Sequence, residues 1–227
     1  MDSKQEGIHH QLFDVLDKHL QSDYKKPIST YSLELFSTIE NLRKKLALPI
    51  ILDSGCGTGA SSKNLAFQNP NSLIIGIDKS AHRLSLGGMC DAFRLQNNLL
   101  LLKMDLVDFW RLATMHNWKL EKHYLLYPNP WPKTKALNKR WHGHPVFPYI
   151  LQLGGKLELR TNWRLYAEEF HLAINHITPG ISVLEKFTCD KAISLFEQKY
   201  LKSGHSLYCC HSELNQLVVN IRQTGAL

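Results

Sequence analysis

A short, almost wholly apolar run, Pro49-Ile50-Ile51-Leu52-Asp53, leads directly into Ser54-Gly55-Cys56-Gly57-Thr58-Gly59. Few architectures accept that combination. A brief apolar run without alternation is what a strand buried on both faces looks like, and such strands belong to parallel sheets covered by helices. Glycine at every second position permits a tight turn and lets the backbone approach a ligand closely. In open α/β sheets that turn lies beyond the carboxyl end of a strand, where ligands bind.

The strand, turn and helix pattern then repeats. Ser72 to Asp78, Leu99 to Met104, His123 to Tyr127 and Lys156 to Thr161 read as further strands, and Ile181 to Phe187 and Leu207 to Ile221 supply the last ones. Strands separated by helical stretches imply right-handed βαβ units. The expectation is an α/β, Rossmann-like fold: a doubly wound, mostly parallel, seven-stranded sheet with N-terminal helices. Ahead of it, Ile8, Leu12, Leu16 and Leu20 mark one helical face, and Leu33, Phe36, Ile39, Leu42 and Leu46 mark a second helix capped by Ser29 or Thr30. Residues 1–47 are expected to be a helical extension of a unit spanning 48–227, in a single domain.

Composition narrows the class. Across 227 residues, 44% are hydrophobic and 21% charged, the balance of an ordinary globular chain. No apolar run reaches the ~18 residues a membrane span needs, and the first residues lack the apolar core of a signal peptide; a cytoplasmic location is the default expectation. Five cysteines (56, 90, 189, 209 and 210) are odd in number and irregular in spacing, which argues for buried thiols rather than disulfides. His142 and His144, and His205 with Cys209, Cys210 and His211, match no zinc spacing, so no metal is expected. The net charge of +7 favours an anionic partner, nucleic acid being the commonest.

The glycine loop is not the Gly-x-Gly-x-x-Gly of dinucleotide folds, which rests a pyrophosphate on a helix N-terminus. S-adenosylmethionine (SAM) has no phosphate; it needs close contact along its methionine part and an acid for its hydroxyls. Asp78 ends the second strand, nineteen residues after Gly59, where a carboxylate accepts ribose hydroxyls. Asp105 closes the third, where SAM enzymes typically have an acid that faces the adenine amino group. Either acid alone also reads as a helix cap. Acids at the ends of three consecutive strands, Asp53, Asp78 and Asp105, with Gly55, Gly57 and Gly59 after the first, point to SAM as the cofactor.

The fourth strand runs into Tyr127-Pro128-Asn129-Pro130-Trp131-Pro132-Lys133, a stiff loop with an aromatic ring. Such a ring stacks a planar base for roughly 1–3 kcal/mol. Lys133, Lys135, Lys139, Arg140, His142 and His144 follow as a basic strip suited to the phosphates of a nucleic acid.

At these residues the chain resembles the bacterial tRNA (guanine-N7)-methyltransferase family. The likeness runs over roughly residues 48 to 213: the Tyr127 to Lys133 loop, Gly154-Gly155, Thr161-Asn162-Trp163, Ser194-Leu195-Phe196-Glu197, and Gly204-His205. It implies the class I SAM-dependent methyltransferase fold and methylation of the variable-loop guanine of tRNA. It implies SAM contacts at Asp53, Asp78, Asp105 and the loop position held here by Asn129. It further implies substrate contacts at Lys133, Asn162, Ser194 and Glu197. Three positions depart from the family pattern. Asn129 and Asn162 stand where the family has aspartates, and Ser194 where it has threonine. Guanine N7 carries a lone pair and no proton, so transfer needs no general base there. The methylated ring is cationic, however, and a nearby carboxylate would stabilise it. Two other readings therefore stay open: an amino group of a base or protein as acceptor, since Asn129-Pro130-Trp131-Pro132 also looks like the Asn-Pro-Pro-aromatic loop of amino-nitrogen methyltransferases, or a SAM- and RNA-binding protein with little or no catalysis.

Overall fold

In the computed structural model, which describes residues 5–89 and 91–214, two helices precede the sheet. The first, α1 (Leu12–Gln21), buries Leu12 and Leu16; the second, α2 (Thr30–Leu46), is capped by Ser29, whose hydroxyl accepts the Ser32 N–H. Their buried side chains Leu12, Leu16, Leu35, Phe36 and Ile39 share one apolar cluster with the sheet residues Ile50, Leu52 and Ile75. Fully burying each such side chain contributes about 1.5–3 kcal/mol.

From Ile50 the chain alternates: β1 (Ile50–Ser54), α3 (Ala60–Gln68), β2 (Leu73–Asp78), α4 (Ala81–Leu86), β3 (Phe93–Gln96), β4 (Leu99–Lys103), α5 (Leu106–Met115) and β5 (Lys122–Leu126). Two 3-10 turns, Thr134–Lys139 and Trp141–Gly143, lead to α6 (Phe147–Gln152), β6 (Lys156–Thr161), α7 (Arg164–Ile177), β7 (Ser182–Phe187), α8 (Leu195–Lys202) and β8 (Leu207–Glu213). The strands lie in the order β3-β4-β2-β1-β5-β6-β8-β7. β4, β2, β1, β5 and β6 are mutually parallel, whereas β8 runs antiparallel to both β6 and β7.

Among the described residues the sheet has eight strands rather than the expected seven. The additional one, β3, pairs antiparallel with β4 across the turn Asn97-Asn98, in which Asn97 takes a left-handed φ of 53°. Its Phe-Arg-Leu-Gln sequence sits on an exposed edge and lacks the apolar run of the central strands. The last expected strand ends at Glu213; its continuation toward Ile221 lies outside the described residues. No helix among the described residues is long and apolar enough to cross a membrane.

The chain moves outward from β1 through β2 to β4, then returns to β5 on the other side of β1. The crevice where that reversal occurs is where such sheets bind ligands. It sets the glycine loop after β1 beside the proline-tryptophan loop after β5. Underneath, a buried polar pair braces both strands: Ser54 Oγ lies 2.8 Å from His123 Nε2, and the Trp110 indole N–H donates to the same hydroxyl at 3.2 Å.

Burial pushes the imidazole of His123 down to about 3, and His9, His19, His142 and His144 shift in the same direction, each chiefly through burial. An unfolded histidine takes a proton near pH 6.5, whereas these folded rings resist it. Stability is therefore full above pH 6.5 and declines as the pH falls below it. For His123 alone the loss at pH 5 is about 2 kcal/mol. Thermal unfolding followed by circular dichroism is expected to show a midpoint clearly lower at pH 5 than at pH 7.5; equal midpoints would contradict this account.

Candidate active site

The turn after β1 is built on backbone bonds. The N–H groups of Gly55 and Cys56 both donate to the Ile77 carbonyl, and Gly59 N–H donates to Cys56 O. Gly55 and Gly57 sit at φ of 83° and 60°, conformations that disfavour a side chain, and a Cβ at either would meet nothing within 4 Å. The loop thus presents bare backbone to open space. Gly59, also left-handed, starts α3 against the Leu101 side chain.

Asp53 lies beneath this loop, 1% exposed. Its Oδ2 accepts the hydroxyls of Ser61 and Ser62 at 2.6 and 2.7 Å, while its Oδ1 is buried with no hydrogen-bond partner among the described residues. Burial pushes its carboxyl up, and the two serine hydroxyls oppose that shift. Asp78, at the end of β2, accepts Gly57 N–H on Oδ2 (3.0 Å), and Ser80 N–H and Arg83 Nη2 on Oδ1 (2.8 and 2.9 Å). It fixes the glycine loop to β2 and carries a cationic neighbour, Arg83, that the sequence did not single out. Asp105 caps α5 by accepting Val107 N–H at 2.8 Å.

These features fit the expected cofactor. The unpartnered Asp53 oxygen answers an amino group, and the open backbone at Gly55 and Gly57 admits an extended chain. Asp78 stands at the strand end where ribose hydroxyls are met.

On the other side of the crevice the Tyr127 to Lys133 loop is held in an unusual shape. Tyr127 and Trp131 both take left-handed conformations, at φ of 52° and 48°, costly for bulky residues. Two anchors keep them there. Tyr127 donates its N–H to Arg160 O (2.7 Å) and its hydroxyl to Glu197 Oε2 (2.9 Å). The Trp131 carbonyl accepts two bonds from the Arg140 guanidinium, at 3.2 and 3.1 Å. Asn129 is exposed between them, its Oδ1 only weakly engaged by Trp131 N–H at 3.5 Å.

Arg140 is accordingly not a phosphate contact, as the basic-strip reading expected. It is fully buried, stacks over Trp163 at 4.9 Å and pairs with the buried carboxylate of Glu169. His142 is also fully buried and reaches Glu169 Oε2 at 2.9 Å. Glu169 Oε1 accepts Gln5 Nε2 at 2.6 Å and His9 N–H at 3.0 Å. Burial alone would push the Glu169 carboxyl up; His142 and Arg140 outweigh it and bring it to about 2. Lys133, Lys135 and Lys139 remain exposed, and Lys139 lies 4.7 Å above the Trp131 ring.

Asn162 follows β6 and meets the ring of His205 at 3.2 Å. It does not cap α7, because Trp163 takes that position and Thr161 Oγ1 accepts the Trp163 N–H. Ser194 caps α8 by accepting Glu197 N–H at 3.2 Å. Glu197, 0% exposed, is taken up by Tyr127, the Ile193 N–H and Arg160. The Ser194 to Glu197 segment thus holds the Tyr127 loop through Glu197 rather than opening its acid to solvent. Isolated motif reading missed Arg160, Arg83 and Glu169; a charge on a strand or helix face gives no hint of which distant partner answers it.

A family profile described as "Putative methyltransferase" matches residues 47–210, and the chain belongs to that methyltransferase family. Among curated relatives, a tRNA (guanine-N(7)-)-methyltransferase of Helicobacter pylori (strain HPAG1) is 29% identical over 207 residues, covering 88% of this chain and 51% of the relative. Another bearing the same name, from Photorhabdus laumondii subsp. laumondii, is 28% identical over 171 residues, 70% of each chain. The chain spans about half the length of the Helicobacter relative. Among solved structures, the 16S rRNA (adenine(1408)-N(1))-methyltransferase from Catenulisporales acidiphilia aligns with TM-score 0.53 and 17% identity, over 77% of this chain and 92% of that one. The 16S rRNA methyltransferase KamB aligns with TM-score 0.52 and 14% identity, over 84% and 95%. Both share the fold.

Breaking a buried ion pair by neutralising one partner leaves the other charge uncompensated, at about 3–5 kcal/mol. Glu169→Gln is expected to lower the unfolding free energy by that amount in urea titrations, because Arg140 stays buried without a counter-charge. A loss below about 1 kcal/mol would show that Arg140 finds water or another anion, and that its hold on Trp131 does not depend on Glu169.

Proposed function

We propose that this chain transfers a methyl group from SAM to N7 of a guanine in tRNA, the 1–47 extension and the 48–227 unit acting as one domain. One observation carries the reading: a rigid aromatic loop, Tyr127 to Lys133, stands directly across the crevice from the glycine loop, with exposed lysines leading away from it. The names borne by the Helicobacter and Photorhabdus relatives support tRNA as substrate and N7 as acceptor.

Bound SAM would supply an electrophilic methyl: as the N7 lone pair forms the new bond, the sulfonium sulfur would keep the S–C bond electrons and depart as a neutral thioether. Asp53 receives the cofactor's amino group on its free Oδ1, and the Gly55 to Gly59 backbone lies along the methionine part. Asp78 accepts a ribose hydroxyl on the one acceptor site that Gly57, Ser80 and Arg83 leave free; Asp105 borders the adenine. With no proton to remove from N7, the main task of the protein is alignment. Asn129, on its locked loop, offers an acceptor oxygen and donor hydrogens to the guanine edge. Lys133, Lys135 and Lys139 neutralise backbone phosphates, and Asn162 beside His205 borders the substrate. The product ring is cationic, and neither Asn129 nor Asn162 brings a carboxylate to it, so the chemical step is slower than with acids at those positions.

The test is incubation with labelled SAM and bulk tRNA lacking 7-methylguanine, followed by digestion to nucleosides. Label in 7-methylguanosine is the expected result. Label in another nucleoside would redirect the acceptor toward an amino group, and measurable SAM and tRNA binding without label would leave a binding protein. Asn129→Asp is expected to raise kcat about tenfold or more, the gain of one charge-assisted interaction of roughly 1.5–3 kcal/mol. An unchanged or lower kcat would remove the charge argument.

A further inference from the structure

Cysteines and histidines late in the chain match no linear metal-binding spacing, but the sheet brings donors together from two strands. On β8, Cys209 and His211 are two residues apart and share one face. On the neighbouring edge strand, Glu185 pairs directly with Cys209, and Val183 with His211. As a result Sγ of Cys209, a ring nitrogen of His211 and a carboxylate oxygen of Glu185 all lie within 4.8 Å of one another. The His211 Nδ1 to Glu185 Oε1 separation is 3.9 Å. A tetrahedral ion with bonds of about 2.0–2.3 Å holds such donors about 3.3–3.7 Å apart. The donors therefore need to draw together by about 1 Å or less to hold such an ion.

We propose that Glu185, Cys209 and His211 form a binding site for a zinc-like divalent ion, with solvent in the fourth position. The donor set selects the class of metal: thiolate and imidazole favour zinc and its neighbours over magnesium or calcium, which take oxygen ligands. The adjacent cation does not preclude it. Arg160 lies across from Cys209 on β6, but its guanidinium is committed to Glu158 at 2.6 Å and Glu197 at 3.1 Å. Glu158 in turn faces His211 from β6, adding negative charge beside the site. Binding exchanges the thiol proton of Cys209 for the metal and releases that proton to solvent. The ion clips β7 to β8, the two strands whose connection carries α8 and the Ser194 to Glu197 segment. Its role is to stiffen the base of that connection, and it takes no part in methyl transfer.

Cobalt(II) is the probe, because a thiolate ligand gives it an intense charge-transfer absorption. Titration of the purified protein is expected to produce that band at one equivalent, and zinc should abolish it. Cys209→Ser should lose the band, His211→Ala and Glu185→Gln should weaken cobalt binding, and Cys189→Ser should leave it intact. No band in the wild-type protein, or a band that survives Cys209→Ser, would overturn the proposal. If Cys209→Ser fails to fold, the thermal midpoint decides: zinc should raise it in the wild type and raise it less in Glu185→Gln, where the exchange is on an exposed edge. An equal rise in both proteins would overturn the assignment of Glu185 and with it the site.

Discussion

One buried carboxylate organises the substrate half of this molecule. Glu169 lies fully enclosed on α7, and its two oxygens receive Gln5, the His9 backbone, Arg140 and His142. Removing such a charge from water costs several kcal/mol and is tolerated only when its lone pairs are filled by donors. Here the donors come from the N-terminal segment and the basic loop after β5, and the acid itself from α7. Three stretches far apart in sequence are therefore fixed to one point. The consequence reaches the crevice, because the same guanidinium that answers Glu169 also holds the carbonyl of Trp131. The N-terminal segment is thereby coupled to the Tyr127 to Lys133 loop at the crevice.

The cofactor half was legible because its signals are local. Apolar runs mark buried strands, and the glycines at 55 and 57 are needed for positive φ within a single turn. The acids at 53 and 78 announce themselves by their places at the carboxyl ends of those strands, Asp53 next to last in β1 and Asp78 last in β2. The substrate half was only partly legible, because its residues act through partners distant in the chain. Arg140 reads as one more cation in a basic strip until Glu169 is found beneath it. Glu197 reads as a substrate contact until Tyr127 and Arg160 are found filling its oxygens. The edge strand Phe93–Gln96 was missed for a different reason: an exposed strand has no need of the apolar pattern that reveals a buried one.

The distribution of charge across the crevice is uneven. The cofactor side carries Asp53, Asp78 and Asp105, while the acceptor side presents the neutral amides Asn129 and Asn162 and the exposed lysines 133, 135 and 139. That arrangement suits the two ligands the proposed reaction joins. A cationic sulfonium is drawn to the acids, and a polyanionic backbone is drawn to the lysines. For the proposed reaction, the geometry of the loop rather than its charge is then the main means of placing the base.

The left-handed backbones of Tyr127 and Trp131 have a bearing on how such a protein diversifies. Their conformations are imposed from outside the loop, by Glu197 and Arg160 at one end and by Arg140 at the other. The residue at the tip contributes almost nothing to the loop's shape. Position 129 therefore behaves as an interchangeable tool in a fixed holder. Its chemistry is free to drift between acid and amide under selection for a new acceptor, with no refolding needed to accommodate each trial, whereas drift at 127, 140 or 197 loosens the holder itself.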